Sequence, residues 1–203
     1  MKTIGFLKSD KENEKRISLY PRDIKNIKNK EYIYIEENYG ADCNILDEEY
    51  MLAGCKVVPR NEILKKDIIC DAKIGDAGYL KDIKEKTIFG WIHAVQNKEI
   101  TDILINNKLT AFAWEDMYEK NRHVFWRNNE IAGETAVMHA LLLHGIMPYD
   151  AKVGILGNGN TARGAYRVLT QLGASVTMYN RKMEDLFKEE LNQFDIIVNA
   201  ILW

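Results

Sequence analysis

A glycine-rich turn in the last quarter of the chain has the spacing of a phosphate-binding site. Gly157, Gly159 and Ala162 form the pattern G-x-G-x-x-A between an apolar run and a helical pattern that begins near Asn160. The first glycine allows a tight bend, the second leaves room for a pyrophosphate, and the small third residue lets the helix pack on the strand. The N–H groups at the helix start can meet the phosphates. The stretch predicts a dinucleotide site, although two glycines in a turn often serve only the turn.

The residues after the next strand indicate which nucleotide is preferred. Sites selective for NAD place Asp or Glu about 20 residues after the glycines, whereas NADP sites need a cation and no carboxylate there. This chain has Tyr179-Asn180-Arg181-Lys182 at these positions. A guanidinium can bind a 2'-phosphate with two hydrogen bonds, so we expect NADPH, with Arg181 on the phosphate. The alternative is that Arg181 and Lys182 form a solvated turn.

Three ionisable residues of the N-terminal part each follow a predicted strand. Arg16 comes after the first strand, Lys73 closes the run IICDAK, and His93 follows IFGWI. Because ligands of open α/β sheets bind at the carboxyl ends of strands, the three residues predict one cleft. Arg binds carboxylates, Lys binds a carboxylate or carbonyl oxygen, and His transfers protons near neutral pH, which suits a 2-oxo acid. Glu115 borders the same predicted edge, and for it we favour a structural role over amine binding.

The elements needed to position these residues alternate between strands and helices, which predicts an α/β fold of two Rossmann-like parallel-sheet domains. The predicted strands of the first domain are Thr3–Leu7, Tyr32–Glu36, Lys56–Val58, Ile68–Lys73, Thr87–Trp91 and Leu109–Ala113. The apolar stretch Ala132–Ile146 predicts a buried helix. The predicted elements of the second domain are strand Lys152–Leu156, helix Thr161–Leu172, strand Ser175–Tyr179, helix Glu184–Leu191 and strand Asp195–Ala200. We expect a substrate domain at 1-130, a linking helix at 131-148 and a nucleotide-binding half-domain at 149-203.

Composition narrows the class of protein. The 203 residues carry 28 basic and 30 acidic side chains in an interspersed pattern, so nothing favours nucleic acid as a partner. No apolar run is long enough for a membrane span, and the first residues are too charged for a signal peptide. Three widely spaced cysteines suit a reducing compartment and give no metal spacing. We therefore expect a cytoplasmic protein with small-molecule substrates and no metal.

Four segments carry a family resemblance: ENYGADCNILDEEYMLAGCKVV, DIICDAKIGD, TIFGWIHA and VGILGNGNTARGAY. They resemble the alanine dehydrogenase and pyridine nucleotide transhydrogenase superfamily, and within it the NADPH-dependent, opine-forming carboxyethylornithine synthases. The resemblance implies reductive condensation of pyruvate with the side-chain amine of ornithine or a related amino acid. It also implies that Arg16 binds the 2-oxo acid carboxylate, Lys73 its oxygen, and that His93 is the general acid and base. Gly157, Gly159 and Ala162 would hold the pyrophosphate and Arg181 the 2'-phosphate.

Two features depart from the family pattern. Members commonly have Pro shortly after the lysine and directly after the histidine, where this chain has Ile74-Gly75 and Ala94. Members also run well past Trp203, so we expect a truncated nucleotide domain and association through the apolar surface that truncation would expose, giving a homo-oligomer. Two alternatives stay open: an enzyme similar to alanine dehydrogenase or saccharopine dehydrogenase, and a non-catalytic nucleotide-binding module.

Overall fold

A computed structural model describes residues 1–201 and divides the chain into two compact units, Met1–His123 and a second unit that begins at Val124. Both units are built on parallel sheets, so the predicted fold class is confirmed. The predicted use of 131-148 as a link between domains stays a prediction.

The first unit contains one six-stranded sheet in the order β3-β2-β1-β4-β5-β6, in which every neighbouring pair is parallel. Its strands are β1 (Ile4–Leu7), β2 (Ile33–Glu36), β3 (Lys56–Val58), β4 (Ile68–Asp71), β5 (Thr87–Gly90) and β6 (Thr110–Ala113). Its helices are α1 (Pro21–Ile24), α2 (Asp47–Leu52), α3 (Arg60–Ile63) and α4 (Lys98–Asn106). The strand order reverses between β1 and β4, and this switch point is where an open parallel sheet leaves a crevice for ligands.

The central strands are apolar because both faces of the sheet are covered. Ile69 and Cys70 of β4 and Ile88 of β5 are fully buried. Ile69 and Ile88 pack in a core with Ile63 and Leu80 from the connecting segments. This rigid core fixes the strand ends, from which the functional loops leave.

A small hairpin ends the first unit. It consists of β7 (Tyr118–Glu119) and β8 (Arg122–His123), paired antiparallel. The turn residues Lys120 and Asn121 both have positive φ, as a tight two-residue hairpin requires. His123 is buried, and its Nε2 donates to the carbonyl oxygens of Trp114 and Glu115, at 3.0 and 3.1 Å. The hairpin therefore packs on the loop that follows β6.

The second unit contains a three-stranded parallel sheet in the order β10-β9-β11. Its elements are α5 (Trp126–His144), β9 (Lys152–Leu156), α6 (Asn160–Gln171), β10 (Ser175–Tyr179), α7 (Glu184–Glu190) and β11 (Ile196–Asn199). Glycines let α5 and α6 approach closely, because an added Cβ at Gly133 would press on the Thr161 backbone and one at Gly164 on the Glu130 backbone. The two helices also share ion pairs of Arg167 with Glu130 and Glu134.

The predicted burial of the helix over Ala132–Ile146 is wrong. The helix begins earlier, at Trp126, and within its second half only one stripe faces the unit's core, at Val137 and Leu141. Leu142 is 82% exposed and Leu143 is 72% exposed. An apolar sequence pattern does not show which sides of a helix pack against other elements, so the prediction overestimated how much of α5 is buried. Gly145 ends the helix with φ of 66°, as predicted from its position.

Two strands of the first unit end earlier than predicted. The strand predicted to end at Lys73 ends at Asp71, and the one predicted to end at Trp91 ends at Gly90. The pairing of β4 with β5 stops at Cys70 and Phe89. Beyond the two strands, each connecting segment forms a short 3-10 turn. Lys73 and Trp91 consequently lie in loops above the sheet edge.

Candidate functional site

Arg16 lies in the loop that follows β1, on one side of the switch point. Its guanidinium binds the Glu14 carboxylate through two nitrogens, with Nε to Oε1 at 2.8 Å and Nη2 to Oε2 at 2.5 Å. The Glu14 side chain is only 9% exposed, so this pair is shielded from water on the carboxylate side. The hydrogen bond to Arg16 lowers the pKa of Glu14, and the same bond raises the pKa of Arg16. Arg16 is thus already arranged to hold a carboxylate.

Lys73 lies across the switch point, in the loop that follows β4, and is half-buried. Burial lowers its pKa first, and the positive charges of Lys11 and Arg16 lower it further. The charge of Lys73 in turn helps to lower the pKa of Glu14. Arg16 and Lys73 thus lie in the loops on the two sides of the switch point, and Glu14 is bonded to Arg16.

His93 lies in the loop that follows β5, the strand next to β4. It is half-buried and has φ of 58° and ψ of 30°, the left-handed region that few residues other than glycine adopt. Its ring stacks on Trp91 with the planes 14° apart. Arg16, Lys73 and His93 thus leave from three adjacent strands, β1, β4 and β5, at the same edge of one sheet.

The loops of Lys73 and His93 are in direct backbone contact. Gly75 donates its N–H to the carbonyl oxygen of Trp91 at 3.1 Å. A Cβ at Gly75 would lie 2.7 Å from the carbonyl carbon of Ile92, and a Cβ at Gly90 would press on the carbonyl oxygen of Asp71. The two glycines therefore allow the loops to interlock. Gly75, which has no Cβ to meet Ile92, is what makes this approach possible.

Three carboxylates accept backbone N–H groups of the basic residues, and of the three the sequence interpretation placed only Glu115 at the edge of the cleft. Glu14 accepts the Arg16 N–H at 2.9 Å and Asp71 accepts the Lys73 N–H at 2.8 Å. Glu115 accepts the His93 N–H at 2.5 Å. Asp71 is fully buried, and burial raises its pKa. The signal that could have found Asp71 is a lone acid at the end of a buried apolar strand.

The glycine turn lies in the second unit, between β9 and α6. Gly157 has φ of 116° and donates its N–H to the carbonyl oxygen of Tyr179 at 2.8 Å. A Cβ at Gly159 would meet nothing within 4 Å, so open space adjoins the turn at the second glycine. Ala162 is fully buried against the sheet, and α6 begins at Asn160. This arrangement fits a pyrophosphate in each of its three parts.

Arg181 lies just beyond β10, the strand to which the glycine turn is hydrogen-bonded. It is exposed and opens a single 3-10 turn. The turn is fixed by Asn180, whose side-chain oxygen accepts the Lys182 N–H at 2.9 Å. Asn180 thereby takes a structural role at the position where NAD-selective sites place an acid. The residue types and the geometry fit a phosphate at this end of the strand.

Within residues 1–201, no group of three or more His, Cys, Asp or Glu side chains is placed to hold a metal ion. None of the helices in that range has the length and apolar character that a membrane crossing needs. Cys43, Cys55 and Cys70 are free thiols.

Both sequence relatives and solved structures resemble the chain. N(5)-(carboxyethyl)ornithine synthase of Lactococcus lactis subsp. lactis (strain IL1403) is 32% identical, over 98% of this chain and 69% of the relative. An alanine dehydrogenase of Staphylococcus epidermidis is 26% identical, over 91% of this chain and 56% of the relative. The crystal structure of a transhydrogenase from Sinorhizobium meliloti superposes with a TM-score of 0.73 at 21% identity, covering 98% of this chain and 70% of that one. That last likeness concerns the fold alone.

The family model of the alanine dehydrogenase/PNT N-terminal domain matches residues 5–132. This range covers more than half of the chain, from β1 through the first turns of α5, and contains all three basic residues of the cleft. The chain therefore belongs to the alanine dehydrogenase/PNT family of oxidoreductases.

Proposed function

We propose that the protein catalyses the NADPH-dependent reductive condensation of pyruvate with the side-chain amine of ornithine or a related amino acid. The observation that carries the proposal is the position of Arg16, Lys73 and His93 in the loops after three adjacent parallel strands, at the edge where ligands of such sheets bind. Glu14 binds the Arg16 guanidinium through two nitrogens, and we propose that the carboxylate of a 2-oxo acid takes its place there, with Lys73 at the carbonyl oxygen. The 32% identity to a carboxyethylornithine synthase supports this choice of reaction.

The proposed reaction joins two substrates and removes one water. The amine nitrogen attacks C2 of pyruvate, the carbinolamine loses its hydroxyl as water, and the resulting imine accepts a hydride at C2. Arg16 holds the carboxylate and Lys73 polarises the carbonyl oxygen during the attack. His93 takes a proton from the ammonium group so that the free amine can attack, and later gives a proton to the leaving hydroxyl, the proton transfers that imidazole performs near neutral pH. NADPH supplies the hydride when it is bound.

The cofactor preference rests on the second unit. Gly157, Gly159, Asn160 and Ala162 would hold the pyrophosphate, and Arg181 would bind the 2'-phosphate. A charge-assisted hydrogen bond contributes about 1.5–3 kcal/mol, so loss of the guanidinium should weaken NADPH binding about ten- to a hundred-fold. NADH, which lacks the phosphate, should bind equally to wild type and to Arg181→Ala. Lys188→Ala, on the exposed face of α7, is the matched control.

Two further parts of the proposal concern the protein as a whole. We place it in the cytoplasm, in agreement with three free cysteines, because thiols persist in a reducing compartment. We also propose a homo-oligomer, since the far side of α5 and the preceding turn leave apolar side chains exposed, among them Leu142 and Leu143. Light scattering after size-exclusion chromatography measures the mass and tests the second statement.

The reaction is tested by following NADPH oxidation at 340 nm with pyruvate and three amine donors in parallel: ornithine, lysine and ammonium. The proposal expects turnover with ornithine or lysine, loss of that turnover in His93→Ala, and wild-type rates in His139→Ala, a control on the exposed side of α5. Turnover with ammonium alone would indicate an alanine dehydrogenase. Cofactor binding without turnover by any donor would favour a non-catalytic nucleotide-binding module.

A further inference from the structure

The carboxylate of Glu115 is directed at the backbone of the loop that carries His93. Oε1 accepts the His93 N–H at 2.5 Å, and the Ile92 N–H lies 3.3 Å from Oε1 and 3.2 Å from Oε2. Glu115 lies in the 3-10 turn that follows the neighbouring strand β6, 22 positions along the chain from His93. A carboxylate that accepts two backbone N–H groups makes strong, charge-assisted bonds.

The residue that Glu115 holds has an unfavourable backbone conformation. His93 is in the left-handed region, which a residue with a Cβ occupies only when its surroundings enforce it. A free loop would relax toward the right-handed or extended regions and turn the imidazole away. In this bent conformation the consecutive N–H groups of Ile92 and His93 both reach the Glu115 carboxylate. The two bonds to Glu115 therefore favour the bend over its alternatives.

Glu115 is itself fixed from the other side. His123, buried in the hairpin, donates to the carbonyl oxygen of Glu115 at 3.1 Å. The His93 loop in turn contacts the Lys73 loop through Gly75. Glu115 thus links the hairpin to the two loops that carry the proposed chemistry.

We propose that Glu115 is a positioning residue that keeps the His93 imidazole in place for proton transfer by holding the 92–93 backbone. This inference rests on the proposed function for the role of His93, but not for the hydrogen bonds. It also gives Glu115 a different role from the binding of a substrate amine, because its carboxylate is engaged by backbone donors. Substrate affinity should accordingly depend little on Glu115.

The first test is amide hydrogen exchange at Ile92 and His93, which needs no turnover. In Glu115→Ala both amides should exchange at least about tenfold faster than in wild type, because both lose their acceptor. Glu115→Gln, which keeps one amide oxygen as an acceptor, should fall in between. Glu119→Ala, in the adjacent hairpin, is the control and should leave both amides unchanged. Unchanged exchange in Glu115→Ala would overturn the proposal.

The second test separates positioning from a merely structural role. Displacing a catalytic group by about 1 Å can cost about a hundredfold in rate, so kcat should fall by that order in Glu115→Ala while KM for pyruvate stays within about threefold. In a His93→Ala background the same change should cause no further loss, because Glu115 acts through His93. A raised KM with kcat retained would overturn the proposal, as would an additive loss in the double variant. A wild-type chain without turnover would contradict the proposed function alone, and the exchange result would then decide the role of Glu115.

Discussion

Gly75→Ala should damage the cleft from a position that carries no chemistry. The added methyl group would lie 2.7 Å from the carbonyl carbon of Ile92 and 3.0 Å from its Cα, and closer still to the carbonyl oxygen. Ordinary contact begins near 3.4 Å, so the two backbones must separate by at least about 0.7 Å. The hydrogen bond from Gly75 to Trp91 would be stretched by the same movement. The loops of Lys73 and His93 would then no longer interlock.

The size of the effect follows from two contributions. Overpacking in a well-packed region costs about 1–3 kcal/mol, and a lost backbone hydrogen bond about 1 kcal/mol. We therefore expect Gly75→Ala to lower the free energy of unfolding by about 2–4 kcal/mol. Because the shift moves the loops of Lys73 and His93 relative to each other by of order 1 Å, we expect kcat to fall by about a hundredfold if these residues have the proposed roles.

Urea unfolding at fixed pH measures the stability change, and NADPH oxidation measures the rate. Gly78→Ala is the matched control, since a Cβ there meets nothing within 4 Å. This control should change the free energy of unfolding by less than about 0.5 kcal/mol and leave kcat unchanged. If both variants unfold at the same urea concentration, the close approach of the two loops is refuted.

Three further predictions concern packing and charge. Gly164→Ala should destabilise the second unit by about 1–3 kcal/mol in urea unfolding, because its methyl group would press on α5. Arg163→Ala, an exposed position on the same helix, is the control and should have little effect. Equal urea midpoints for the two variants would contradict the close packing of the helices. Tyr79→Phe removes the hydroxyl that donates to buried Asp71 at 2.8 Å, and it should lower the free energy of unfolding by about 1–3 kcal/mol in the same assay. A change below about 0.5 kcal/mol would contradict the contribution of this hydrogen bond. Burial and two neighbouring cations lower the pKa of Lys73, so the folded state binds its proton less tightly than the unfolded state. The free energy of unfolding of the wild type then rises with pH from the lowered pKa toward 10.5. Lys73→Met, which has no charge to bury, should be more stable than the wild type at pH 7, and the difference should shrink by pH 10.5. A stability difference that does not depend on pH would contradict the lowered pKa of Lys73.

Much of the fold could be predicted because its signals are local. Parallel strands covered on both faces are short apolar runs, and β9 and β10 occupy the predicted ranges Lys152–Leu156 and Ser175–Tyr179. The burial of α5 could not be predicted, because tertiary structure, and not the local sequence, decides whether a side chain such as Leu142 packs against another element.

The candidate site could likewise be predicted from the sequence only in part. Residue type and position after a strand were enough to select Arg16, Lys73 and His93, and the sheet order places their strands side by side. The hydrogen bonds of Glu14 and Asp71 to these basic residues could not be predicted, because nothing in the sequence says which backbone group a carboxylate faces. The left-handed backbone of His93 was equally hidden, since such a conformation usually signals Gly or Asn. The catalytic and binding roles of all these residues stay predictions.

The measurement that tests the central claim most directly is the rate of NADPH oxidation by the purified chain with pyruvate and ornithine, compared with the rate in Arg16→Ala, His93→Ala and the control His139→Ala. The account predicts turnover in the wild type and the control, a KM for pyruvate raised at least about tenfold in Arg16→Ala, and kcat lost in His93→Ala. Turnover that survives in both cleft variants would show that the chemistry takes place elsewhere and would contradict the account.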